Sequence, residues 1–236
     1  MASTSRLVNT RAEQELLEDI LEEHKPPIPQ EAVNLHYLLF SPFRYETRQP
    51  SGSRFRAVND PGVFYAAETV RTASAEVGYW RWRFLQDTAG LERLQPCSFT
   101  AFRVPIKTSC VDLREPPYYS DSQKWQHPTD YSATQAFGRA AREADIGAIL
   151  YQSVRDPDKH FCVAVLTPLA FAAKKPDSIT QSWVLTISTE EAIWMRQDAE
   201  SFSFRTDYWE THLNNNTTQS ISPTQKPVDI IPKNII

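Results

Sequence analysis

The run Gly52-Ser53-Arg54-Phe55-Arg56, followed by Pro61-Gly62-Val63-Phe64-Tyr65-Ala66-Ala67 and then Thr69 to Glu76, decides how this chain reads. Glycine permits backbone conformations closed to other residues, so Gly52 allows a tight turn that aims Arg54 inward. Residues 63–67 read as a buried strand carrying Tyr65. Residues 69–84 read as a helix with Glu76 near its middle and an aromatic end at Tyr79, Trp80, Trp82 and Phe84. Turn, strand and helix therefore present an arginine, a tyrosine and a glutamate in close succession.

Working outward, residues 9–24 predict a helix, with Thr10 and Glu13 forming a capping box. Leu16, Leu17, Ile20 and Leu21 form one apolar stripe. Glu15, Glu18, Glu22 and Glu23 make the other face acidic. The helix reads either as docked on the domain or as a partner-binding arm. It ends at Lys25-Pro26-Pro27-Ile28-Pro29, because proline lacks an amide hydrogen and fixes φ. Leu38-Leu39-Phe40 and Phe43-Arg44-Tyr45 read as short extended pieces around Pro42. Strands are expected at 98–106, 147–151, 161–166, 183–187 and 201–204, a helix at 131–144, and a loop at Pro116-Pro117-Tyr118-Tyr119-Ser120. After about residue 211 the chain turns polar and proline-rich, with too little apolar surface to offset ordering entropy. It reads as a disordered tail. The interspersed order of helices and strands, without regular βαβ spacing, predicts an α+β fold.

Composition narrows the function. The 236 residues fit one domain with an appendage, and 41% are hydrophobic, enough for a packed core. The net charge is −4 and the pI about 5.8, which supplies no electrostatic footprint for DNA or RNA. Cys97, Cys110 and Cys162 form no CxxC and read as small core hydrophobes. The five histidines show neither HxxxH nor HExxH spacing, so no metal is expected. The first residues lack an apolar signal-peptide region, and no apolar run nears the roughly 20 residues of a membrane span. The expected compartment is the cytoplasm.

Each candidate residue has a plain alternative. Arg54 offers a rigid fork suited to phosphate, but spacing alone favours a surface arginine, and Arg56 competes for its role. Tyr65 can cover a planar heterocycle or can simply fill the core. Glu76 lies among Ala73, Ala75 and Val77, where a carboxylate is costly unless paired or used; a solvated glutamate is the alternative. Ser153 follows the apolar strand Ala148-Ile149-Leu150-Tyr151 and opens a polar loop. No GxSxG surrounds it, so it reads as a hydrogen-bonding residue, with a nucleophile as the other option. The six glycines form no GxGxxG or GxxxxGK[ST] motif. A dinucleotide would have to be held by side chains.

Arg54, Tyr65, Glu76 and Ser153, in this order, resemble the RES domain, a family named for its Arg, Glu and Ser. Arg44 within Pro42-Phe43-Arg44-Tyr45 is similar to the arginine near the start of such domains. Ser153-Val154-Arg155 before Phe161-Cys162-Val163-Ala164-Val165 is similar to the family's serine loop and next strand. The resemblance covers about residues 40–205. Phe55 stands where many members have tryptophan, and the N-terminal helix and tail lie outside the family core. The resemblance implies an ADP-ribosyltransferase-like split β-sheet with flanking helices. The expected division is an N-terminal helical extension over 1–34, the domain over 35–210 and a disordered tail over 211–236.

It further implies an NAD-degrading toxin of a bacterial toxin–antitoxin pair, cleaving the nicotinamide–ribose bond by hydrolysis or phosphorolysis. An ADP-ribosyltransferase is the first alternative and a non-catalytic partner-binding module the second. Glu76 would stabilise the charged sugar, and Arg54 with Arg44 or Arg155 would hold the pyrophosphate. Tyr65 and Ser153 would orient the nicotinamide or its ribose. NAD would be substrate, with no further cofactor and no metal. The implied partner is a cognate Xre-type antitoxin that contacts DNA in the toxin's place; a homo-oligomer stays open.

Overall fold

A computed structural model describes residues 8–45, 51–196 and 200–217. The helices are α1 (Arg11–Glu23), α2 (Tyr37–Arg44), α3 (Val70–Gln86), α4 (Ser122–Trp125), α5 (Ser132–Glu143) and α6 (Thr206–Thr217). The strands are β1 (Phe64–Ala67), β2 (Arg93–Ala101), β3 (Cys110–Asp112), β4 (Ala148–Gln152), β5 (Phe161–Val165), β6 (Gln181–Ser188), β7 (Glu191–Met195) and β8 (Ser201–Arg205).

They form two four-stranded sheets, ordered β1-β5-β4-β3 and β2-β6-β7-β8. Only the β3–β4 pair is parallel; the other named pairs are antiparallel. The fold is α+β, as the interspersed order predicts. No helix among the described residues is long and apolar enough to cross a membrane.

Strand alternation sorts the first sheet into two faces. Cys162 and Ala164 of β5 share a face with Tyr65, Ile149 and Tyr151, and pack with Phe55, Phe137 and Ala141. Val163 and Val165 face the other way, with Phe64, Leu39 and Phe171. The second sheet buries Trp183, Trp194, Leu185 and Phe204 against Tyr79 and Trp82 of α3 and Trp209 of α6. Helix α3 thus packs on the second sheet while its N-terminal half reaches the first.

Several boundaries differ from the sequence expectation. Residues 37–44 are helical rather than extended, despite Pro42. Leu39 and Phe43, four apart on one helical face, pack into the cluster of Phe64 and Phe171. That burial outweighs the one amide bond that proline removes. The strand expected at 98–106 runs instead over 93–101. Beyond Ala101 the chain leaves the second sheet, and Phe102, Val104 and Ile106 pack against the far face of the first. Pro96 is tolerated because β2 is an edge strand with a register shift between Leu94 and Cys97.

Thr10 and Glu13 make the expected reciprocal capping box, at 3.2 Å each way. No residue of α1 is buried, and the Glu22–Arg44 ion pair at 2.7 Å ties the end of α1 to α2. Helix α6 runs on to Thr217, into the stretch read as tail; residues 218–236 of that expectation lie outside the described residues.

Candidate active site

The turn that presents Arg54 is built as Gly52 suggests. Gly52 sits at φ +66°, a conformation that L side chains rarely adopt, and a Cβ there would meet the Arg56 carbonyl at 2.1 Å. Ser53 and Arg56 bridge the turn, with Ser53 N donating to Arg56 O at 2.7 Å. Helix α5 then pins it. Gln135 Nε2 donates to the carbonyls of Ser51 (2.7 Å) and Ser53 (3.0 Å). Gly138 lets the helix approach so closely that a Cβ would lie 2.7 Å from the Phe55 carbonyl.

Arg54 points into the protein and is only 8% exposed. Its Nη1 donates to the carbonyls of Trp125 (2.9 Å) and His127 (3.0 Å). The guanidinium lies over the Tyr131 ring, 4.8 Å from its centroid. Both hydrogens of Nη1 are therefore used, while Nε and Nη2 make no hydrogen bond to the described residues. That edge is the planar pair of donors that meets a phosphate or carboxylate bidentately. Arg56, the competitor, turns away: its Nε donates to Asp60 O and its Nη2 to Tyr45 O.

Tyr65 braces the same turn. Its hydroxyl lies 2.8 Å from Ser53 Oγ and accepts from Phe55 N at 2.9 Å. Burial pushes its pKa up, opposed by these bonds and by the Arg54 charge.

Glu76 and Ser153 meet. The Ser153 hydroxyl donates to Glu76 Oε1 at 2.6 Å and accepts from Arg155 N (3.2 Å) and Asp156 N (3.1 Å). A serine hydroxyl has one donor and two acceptor positions, so this one is fully engaged. The Cys162 thiol approaches the same Oε1 at 3.8 Å, which leaves Oε2 without a hydrogen bond to the described residues. His160 does not serve Ser153. Its Nδ1 lies 3.3 Å from Asp156 Oδ2, so the base a serine nucleophile requires is elsewhere engaged.

Helix α3 and the loop after β4 fit together along one helical face. Thr69 caps the helix, accepting from Thr72 N at 3.0 Å. Thr72 Oγ1 donates to the fully buried Asp156 carboxylate at 2.8 Å. One turn on, Glu76 takes Ser153. Three residues further, the Tyr79 ring takes the Arg155 guanidinium at 3.5 Å. Positions 72, 76 and 79 share a face because the helix repeats every 3.6 residues. The Asp156 charge near the helix N-terminus is favourably placed against the helix dipole.

Two residues read from sequence only as strand or core members join the set. Tyr151 packs edge-on against Phe55 at 4.9 Å, and the Arg54 guanidinium lies 6.0 Å from its ring centroid. Burial, then the neighbouring Cys162 and Glu76, pushes its pKa well up. Burial and the Glu76 charge likewise hold the Cys162 thiol well above the ordinary range. Strand alternation could have found both, since Tyr151 pairs with Cys162 and Tyr65 with Ala164. Tyr65, Tyr151 and Cys162 thus share one face of the first sheet, with the Arg54 guanidinium near Tyr151 and Glu76 beside Cys162.

The other two arginines are engaged differently. Arg44 donates from Nε to Pro26 O at 2.6 Å and pairs with Glu22. Arg155 is 1% exposed and donates from Nη2 to Pro128 O. Asp156, Asp158 and His160 bring three potential metal-ligand atoms within 4.8 Å of one another, although the Asp156 carboxylate already accepts from Thr72 and Asp158 N.

The model of the RES domain family matches residues 28–188, more than half of the chain. No curated protein matches it.

Proposed function

The chain belongs to the RES-domain family, and from that premise we propose that it consumes NAD by breaking the nicotinamide–ribose bond. The observation that carries this reading is a pair of half-anchored charges beside one sheet face. Glu76 is fixed through Oε1 with Oε2 open, and Arg54 is fixed through Nη1 with Nε and Nη2 open. One offers negative charge to a developing cation, the other a fork to a phosphate.

When the bond breaks, its electron pair leaves with nicotinamide, which loses its positive charge. The ribose C1′ becomes oxocarbenium-like. Glu76, held in place before the reaction, stabilises that charge without reorganising. The open edge of Arg54 holds the pyrophosphate. Tyr65 keeps the Arg54 turn in register and its half-buried ring offers planar surface to the substrate, while Tyr131 and Tyr151 lie against the Arg54 guanidinium. Ser153 acts by orienting Glu76 rather than by attack, because both of its lone pairs already accept backbone amides. The acceptor at C1′ is water, phosphate or a group on a macromolecule. No further cofactor is required by this step.

Incubation of the purified protein with NAD, followed by chromatography, tests the reading. Loss of NAD with release of nicotinamide is expected. Free ADP-ribose would identify hydrolysis, ADP-ribose phosphate phosphorolysis, and labelled protein transfer. Intact NAD, in a preparation free of any antitoxin, would defeat the proposal and favour a partner-binding module. We further propose a cognate DNA-contacting antitoxin of the Xre type, consistent with the acidity of this chain. Its co-expression should restore growth and yield a co-purifying complex in the cytoplasm.

A further inference from the structure

Two arginines that lie far apart in sequence hold the same short stretch of backbone. Arg54 donates to the carbonyls of Trp125 and His127, and Arg155 donates to the carbonyl of Pro128. Arg155 is buried, its Nη1 has no partner, and no carboxylate pairs with it among the described residues. A buried cation without a counter-ion is costly. Here its compensation is the Tyr79 ring face at 3.5 Å and the Pro128 carbonyl.

Both ends of Arg155 are tied to the aromatic core of the second sheet. Its backbone carbonyl accepts from Trp209 Nε1 at 2.9 Å. Its guanidinium rests on Tyr79, whose ring packs edge-on against Trp209 at 5.9 Å. The stretch 125–128 is therefore referenced to the buried aromatic core of the second sheet. Arg54 takes its own orientation from that stretch, because the Trp125 and His127 carbonyls engage Nη1 and so leave the Nε–Nη2 edge open.

We propose that Arg155 is a positioning residue for Arg54, acting through the 125–128 backbone, and not a contact of the substrate pyrophosphate. The proposal rests on the NAD reading for its functional consequence, but its physical content does not. Removing Arg155 frees the Pro128 carbonyl, lets the stretch drift and unfixes Nη1. Misplacement of a binding group by about 1 Å is enough to cost as much as 10²-fold.

The test compares Arg54→Ala, Arg155→Met, Arg155→Lys and the double variant Arg54→Ala/Arg155→Met in the full chain. The probe ligand is ADP-ribose, with NAD turnover measured alongside. Arg155→Met should raise Kd and KM about tenfold while kcat changes less than threefold, and Arg155→Lys should recover part of the loss. The double variant should bind no more weakly than Arg54→Ala alone, since residues acting through one another are not additive. Additive losses in the double variant would overturn the proposal and return Arg155 to direct contact.

A second readout is independent of NAD. The Arg54 Nε–H signal in NMR should shift or broaden in Arg155→Met, and amide exchange over 125–131 should accelerate. An unchanged signal and unchanged exchange would overturn the proposal. If Arg155→Met does not fold, Arg155→Lys carries the same two readouts. If the unaltered chain neither binds ADP-ribose nor consumes NAD, the NAD reading fails, and the NMR and exchange results alone decide the inference.

Discussion

The half built on β2-β6-β7-β8 and the half built on β1-β5-β4-β3 share helix α3 but are filled with different material. The second-sheet half is a block of aromatic rings: Trp183, Trp194 and Trp209 are among its fully buried side chains. Trp82 and Trp194 bury indole N–H groups with no partner, so shape and apolar area hold that half together. The first-sheet half also has an apolar core, yet it threads Arg54, Ser153 and Asp156 into buried positions. There, hydrogen bonds decide where each head group sits. Packing by shape gives stability; packing by hydrogen bond gives orientation, which chemistry at Glu76 and Arg54 would require. Substitutions should therefore separate the two halves, with stability lost in one and turnover in the other.

The largest effect should come from the aromatic half. Trp194→Ala removes a fully buried ring and should cost about 3–5 kcal/mol of unfolding free energy, read from denaturant midpoints. The fraction that still folds should keep its NAD turnover. A loss of turnover in folded Trp194→Ala would break the division between the halves. Next comes Glu76→Gln, which keeps shape but removes the charge an oxocarbenium needs. It should lower kcat by about 10²-fold or more, with a smaller change in KM because that interaction belongs to the transition state. Its unfolding midpoint should stay close to that of the unaltered chain.

Arg54→Ala should act on affinity, weakening ADP-ribose about tenfold or more through loss of a charge-assisted phosphate contact; calorimetric titration measures it. Ser153→Ala should be milder, a several-fold drop in kcat as Glu76 loses one orienting bond. Complete loss of turnover in Ser153→Ala, beside an active Glu76→Gln, would replace the proposed mechanism with a serine nucleophile. The smallest effect concerns Cys162. Burial, reinforced by the Glu76 carboxylate, raises its thiol pKa, so at about pH 8 it stays protonated and unreactive. Iodoacetamide followed by peptide mass mapping should find exposed Cys110 modified well before Cys162. Glu76→Gln removes the nearby negative charge and should shift Cys162 titration downward.

The α1 capping box, the Gly52 turn, β1, α3, α5, β4 and β5 were legible because each has a local cause: a cap, a glycine, an apolar run or a helical period. The short β3 and β7 strands and the helix at Tyr37–Arg44 were not. Three residues of β3 make a strand only because β4 lies alongside. Residues 37–44 are helical only because Leu39 and Phe43 find the Phe64–Phe171 cluster.

The site divides in the same way. Residue type and order alone singled out Arg54, Tyr65, Glu76 and Ser153, because a family pattern is written along the chain. How they meet was decided by tertiary structure: the register of β4 on β5, the face of α3 that carries Thr72, Glu76 and Tyr79, and the backbone of 125–128 folded back over Arg54. The resemblance offered Arg54 as the pyrophosphate ligand, with Arg44 or Arg155 beside it. The fold gave Arg44 to Glu22, laid Arg155 against Tyr79 and left Arg54 with an open edge. A guanidinium carries the same charge wherever it lies in the chain, but its free donors are fixed by which carbonyls and rings surround it, and those arrive from residues far away in sequence.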